Sequence, residues 1–105
     1  MPDDAPFHIV PPDEVPDGVT DAGDRPPADL VRALAGRSRP VLVRCLPEPG
    51  RAADPAEAVA LAAVYAWLGA RYFVTDHPRQ VRQALDMVAS IQGRRPPAAV
   101  RRGLA

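Results

Sequence analysis

Thr75, Asp76 and His77 form a polar turn between an apolar run, ARYFVT at 70–75, and a segment of helical periodicity that begins at Pro78. In β/α proteins such turns lie at the carboxyl ends of the strands, where ligands bind. A second apolar run, PVLVRCL at 40–46, carries Arg44. By strand alternation Arg44 lies on the face opposite Val43 and Cys45, or near the strand end. An arginine placed there needs an acidic partner, and Asp76 on the neighbouring strand is the natural one. Arg44, Asp76 and His77 are therefore the candidate ligand-binding residues. The alternative reading of the same residues is structural. Thr75 or Asp76 then caps the following helix, His77 is solvated, and Arg44 and Asp76 form an ion pair.

Other chemistries are excluded by composition. All 13 basic residues are arginine, which removes Schiff-base lysines, Walker-type lysines and lysine general bases. Cys45 is alone in the sequence, so there is no intrachain disulfide and no cysteine-based zinc cluster. It sits in an apolar run and reads as a small buried hydrophobe. His8, inside FHIV at 7–10, reads as a strand residue rather than a metal ligand, since no pair of histidines or cysteines has metal-ligand spacing. No metal, no cofactor and no catalytic residue is assigned.

The elements that hold these residues alternate. Residues 28–36 (ADLVRALAG) predict a short helix with Leu30, Val31 and Leu34 as its apolar stripe. Residues 40–46 predict a strand of the continuous apolar kind found in buried parallel sheets. Asp54-Pro55-Ala56-Glu57 is a helix start, with Asp54 as the cap, proline at the first position and Glu57 placed to reach back. That helix runs to about residue 68 and Gly69 stops it. The strand at 70–75 and a helix over about 78–92 follow, the latter with Val81, Ala84, Leu85, Val88 and Ile91 at helical spacing. With a short strand at 7–10, this predicts a small parallel α/β unit of two to three strands and three helices.

Three regions follow from the 14 prolines and the charge. Residues 1–27 read as an acidic, Pro-rich arm or loop with a short strand at 7–10, residues 28–93 as the β/α domain, and residues 94–105 as a basic, Pro-containing tail. Residues 1–29 carry eight acids against one arginine, and residues 30–105 carry twelve arginines against five acids. An acidic arm folding back on a basic body accounts for this. Scattered arginines with few aromatics argue against nucleic acid as a partner. The acidic, proline-broken start is unlike a secretory signal, and no apolar stretch is long enough to span a membrane. A cytoplasmic location is expected.

The segment 55–69, PAEAVALAAVYAWLG, contains Glu57 as its only charge and is apolar all the way round. A helix on one side of a small sheet should have a wet face. One without it must be covered by the chain's own arm or tail, or by a partner. The partner reading is a homo-oligomer, most simply a dimer, with Val59, Ala63, Tyr65 and Trp67 at the interface. A separate protein partner is its variant.

From the Ala-rich helix through GARYFVTDHPRQVRQALDMVASIQG to the tail, residues 55–105 resemble the end of dihydropteroate synthase. The likeness covers about the last two β/α units, and PVLVRCL extends it. The family is a TIM barrel that joins p-aminobenzoate to a pterin pyrophosphate, so the resemblance implies a barrel-derived scaffold and a link to folate biosynthesis. Its last strand ends in an Arg-x-His motif that contacts the substrate's anionic groups. Counting back from VRQAL, those places hold Val74 and Asp76, with His77 one step later. The family's pterin-contacting lysine corresponds to Glu48 in Leu46-Pro47-Glu48. At 105 residues the chain is also too short for a closed barrel. Valine and glutamate in place of arginine and lysine, with Asp76 beside them, repel a pyrophosphate. No synthase activity is expected from this chain alone. The resemblance implies a non-catalytic module that acts through self-association or protein interaction. The alternative is a pterin- or folate-pathway ligand-binding protein or enzyme whose site is assembled in an oligomer.

Overall fold

The computed structural model describes residues 5–93; the basic tail assigned to 94–105 lies outside them. The elements run β1 (His8–Ile9), β2 (Thr20–Asp24), α1 (Ala28–Ala35), β3 (Val41–Arg44), α2 (Pro55–Leu68), β4 (Tyr72–Val74) and α3 (Pro78–Ile91). They build a four-stranded, all-parallel sheet in the order β1-β4-β3-β2. The α/β class with three helices is as the sequence predicts. The strand at Thr20–Asp24 is an addition, because residues 11–27 read as loop.

β2 has the sequence TDAGD, which has neither strand propensity nor alternation. It is ordered by the free edge of β3, with Thr20 opposite Val41 and Asp21 opposite Leu42 before the register shifts towards Asp24. Gly23 takes φ +94 at that irregularity, where a side chain would be strained. The two aspartates also place charge on an exposed sheet edge, which discourages further strand pairing. β1 and β2 are the two edge strands, so the segment read as an arm or loop contributes His8–Ile9 and Thr20–Asp24 to the sheet.

The three helices pack in sequence, α1 on α2 and α2 on α3. Val41, Val43, Cys45 and Phe73 meet them on one side of the sheet, together with Phe7, Val31, Ala62, Tyr65 and Leu85. Phe7 and Phe73 meet edge to face at 5.8 Å. Leu42 and Val74 alternate to the opposite side and are also fully buried. The connection from β1 to β2 has to pass from one sheet edge to the other. Nη1 of Arg44 donates to the Pro12 carbonyl at 2.7 Å, which places that connection over the Leu42 side.

Helix starts follow local chemistry. Asp54 caps α2 by accepting from the Ala56 amide at 3.0 Å, and Pro55 takes the first position. Glu57 does not reach back to the cap; its Oε2 accepts from Nη2 of Arg51 at 3.2 Å. Gly69 ends α2 at φ +115. No helix among the described residues is long and apolar enough to cross a membrane.

Candidate functional site

The carboxyl ends of β3 and β4 bring only part of the predicted set together. Asp76 and His77 share a cavity of about 10 Å³ with Cys45, Asp54 and Glu57. Arg44 is not there. It lies on the far side of the sheet, where Nε and Nη2 donate to Oδ2 of Asp21 at 3.2 and 2.9 Å. The expected Arg44–Asp76 pair is therefore replaced by Arg44–Asp21. The reason is β2: the added edge strand sets Asp21 beside Arg44, whereas Asp76 lies in the turn two residues beyond β4.

The hydrogen bonds from Arg44 hold the Asp21 carboxyl below its ordinary range, helped by the Gly23 amide, which donates to Oδ1 at 2.9 Å. The same pairing raises Arg44 further above its already high value. With the Pro12 carbonyl as its second partner, this guanidinium is committed to the fold.

The turn before α3 is also arranged differently from the expectation. His77 is the cap residue and makes no side-chain capping bond. Oγ1 of Thr75 accepts from the His77 amide at 3.0 Å and closes the turn one step earlier. Neither Thr75 nor Asp76 caps the helix, and His77 is half-buried rather than solvated. Its Nε2 is fully buried without a hydrogen-bond partner among the described residues, while the Asp76 side chain is exposed. Burial pushes the Cys45 thiol up to about 12. Burial therefore favours the neutral thiol, the less reactive form. Among the described residues no group of three or more His, Cys, Asp or Glu converges to hold a metal ion.

The proposed interface residues divide in the same way. Tyr65 is 5% exposed and belongs to the core. Its hydroxyl donates to the Pro26 carbonyl at 2.7 Å, tying α2 to the β2–α1 turn. Val59 and Ala63 are half-buried against the core. Of the four, Trp67 alone faces outward, at 54% exposure, and Val64 joins it at 55%. Ala60 completes this stripe at helical spacing. Along α3, Met87 and Ile91 are 61% and 64% exposed. Between α2 and the start of α1 the stripe borders a groove of about 350 Å³ lined by Pro26, Ala28, Leu61, Val64 and Leu68.

The sequence identified α2 as apolar all round but not the phase of its exposed face. Comparison with known protein families, curated proteins and solved structures returned no match.

Proposed function

We propose that this protein is a non-catalytic β/α module that acts by self-association, with the outer face of α2 as the contact between copies. The observation that carries the reading is the exposed Val64–Trp67 stripe on a helix whose only charge is Glu57. α2 and α3 each have 14 residues and run in the same direction beside each other. At about 1.5 Å per residue and 10 Å between axes, α2 and α3 together offer a face on the order of 20 by 20 Å. That is about half the roughly 800 Å² per partner of a standard interface, so the contact extends beyond these two helices. A two-fold arrangement sets one α2 against another, with Ala60 permitting close approach and Trp67 as the anchor.

The scaffold part of the reading rests on the likeness of residues 55–105 to the end of dihydropteroate synthase and is supported by strand order. β2, β3 and β4 follow one another as successive barrel units do. The loss of synthase activity in this reading agrees with Val74 being fully buried where the family has its anion-binding arginine.

Light scattering at micromolar concentration tests the association. The wild type is expected to be a dimer, and Val64→Glu or Trp67→Glu a folded monomer. A well-folded wild-type monomer removes the reading.

One observation favours a second reading, a folate-pathway ligand site shared between copies: the unpartnered Nε2 of His77 next to Asp76. A cavity of about 10 Å³ holds no more than a water-sized group, so a pterin requires a neighbouring chain to enlarge it. Calorimetric titration with pterins, p-aminobenzoate and pyrophosphate tests this. No heat and an unchanged melting temperature with all three dismisses it.

A further inference from the structure

At the opposite end of the sheet from Asp76 and His77, the α1–β3 and α2–β4 connections enclose a cavity of about 290 Å³. Arg37, Ser38 and Arg39 come from the first connection and Arg71 from the second. Its remaining walls include Tyr72 and His8, whose rings stack at 4.8 Å with an interplanar angle of 22°. No acidic residue lines it among the described residues.

We propose that this cavity binds a small phosphorylated ligand through Arg37, Arg39 and Arg71. Three guanidiniums facing one cavity repel one another, and a dianion reverses the sign of that interaction. Four of the other arginines show the contrast. Arg32, Arg44, Arg51 and Arg82 each pair with a carboxylate. The side chains of Arg37 and Arg39 have no ion pair or hydrogen bond among the described residues. Arg71 is fixed in direction by Nε, which donates to the Pro6 carbonyl at 2.9 Å.

The chemistry selects phosphate in particular. A planar guanidinium matches two phosphate oxygens with two parallel donors, and the Ser38 hydroxyl adds a neutral donor. The volume exceeds that of a bare phosphate and falls at the lower end of small-ligand pockets. The stacked Tyr72–His8 pair gives the organic portion of a phosphate monoester a flat surface.

The two connections also approach each other closely at Gly69, the residue that ends α2. Gly69 passes so close to Ala35 that a side-chain carbon at Gly69 would lie 2.5 Å from the Ala35 methyl carbon. The end of α1, leading to Arg37 and Arg39, and the end of α2, leading to Arg71, therefore meet at this contact.

The test is titration of the full chain with inorganic phosphate and with glycerol 3-phosphate, followed by NMR of the arginine side-chain Nε–H groups. Chloride at matched ionic strength is the reference. Saturable shifts at Arg37, Arg39 and Arg71, with Arg32 and Arg79 unmoved, are the expected result. Arg37→Gln combined with Arg39→Gln is expected to weaken binding about tenfold or more at unchanged melting temperature. Arg32→Gln combined with Arg79→Gln should leave it unchanged. Non-saturating shifts shared by all arginines, equal shifts with chloride, or equal affinity in the Arg37/Arg39 double variant would each overturn the assignment.

Discussion

Gly69→Ala is predicted to cost about 2–5 kcal/mol, from two terms that can be separated. The first is conformational. Gly69 sits at φ +115, and an L side chain held in such a conformation costs roughly 1–2 kcal/mol. The second is steric. The new methyl carbon would lie 2.5 Å from that of Ala35, against a comfortable carbon contact of about 3.5–4.0 Å. Overpacking of this kind typically costs about 1–3 kcal/mol. The sum is a large share of the roughly 5–15 kcal/mol by which a domain is stable. Urea denaturation of four proteins tests the division: wild type, Gly69→Ala, Ala35→Gly, and both together. Removing the Ala35 methyl relieves the clash but not the backbone strain. In the Ala35→Gly background, Gly69→Ala should therefore cost only about 1–2 kcal/mol, and the coupling energy should equal the steric term. The intrinsic helix penalty of Ala35→Gly cancels in the cycle. A cost below about 1 kcal/mol for Gly69→Ala, or zero coupling, would refute the close approach of the two helix ends.

Two further predictions concern ionisable groups. The lowered pKa of Asp21, caused first by its hydrogen bonds from Arg44, stabilises the fold above the ordinary carboxylate range, and that contribution disappears as pH falls through the folded-state value. Asp21→Asn should cost about 1 kcal/mol at neutral pH and flatten the acid limb of stability below about pH 4; an acid limb identical to wild type contradicts the pairing. Cys45, with its thiol pushed up to about 12 by burial, should react with a disulfide reagent at pH 8 about a thousandfold more slowly in the native protein than in urea. Reaction of the native thiol at the free rate means that Cys45 is accessible.

What the sequence made legible was set by hydrophobic pattern. PVLVRC and RYFVT announce buried strands, and α1 and α3 announce themselves by Val31 and Leu34 and by Val81, Leu85 and Val88. TDAGD has no such pattern. It becomes a strand because β3 has an unpaired edge and Arg44 needs a carboxylate, and both are tertiary facts. Missing it misassigned the partner of Arg44 and left Asp21 unnoticed. Helix α2 failed for a different reason. A helix apolar on every side has no phase, so Tyr65 and Trp67 look equivalent until α1 and α3 decide which one the core takes. Arg37, Arg39 and Arg71 escaped notice because they belong to two connections separated by a whole helix and strand. The Arg-Ser-Arg run between a helix and a strand was the available signal.

Placing the phosphate pocket at the amino ends of the strands departs from the usual geometry, in which β/α proteins bind ligands at the carboxyl ends. The arginines explain the departure. At the carboxyl ends, Arg44 is closed off by Asp21 and Pro12, Arg25 donates to the Leu46 carbonyl, and Arg51 pairs with Glu57. Each is consumed by holding a loop, and Asp76 adds negative charge beside them. A ligand anion there would have to compete with internal partners already in hydrogen-bond contact. At the amino ends Arg37 and Arg39 hold nothing else. These two arginines on one short connection, with Arg71 on the other, line the same cavity and have no internal partner among the described residues to give up when an anion arrives. The arginines that hold loops at the carboxyl ends thus stabilise the fold, whereas Arg37 and Arg39 at the amino ends form no such contact among the described residues.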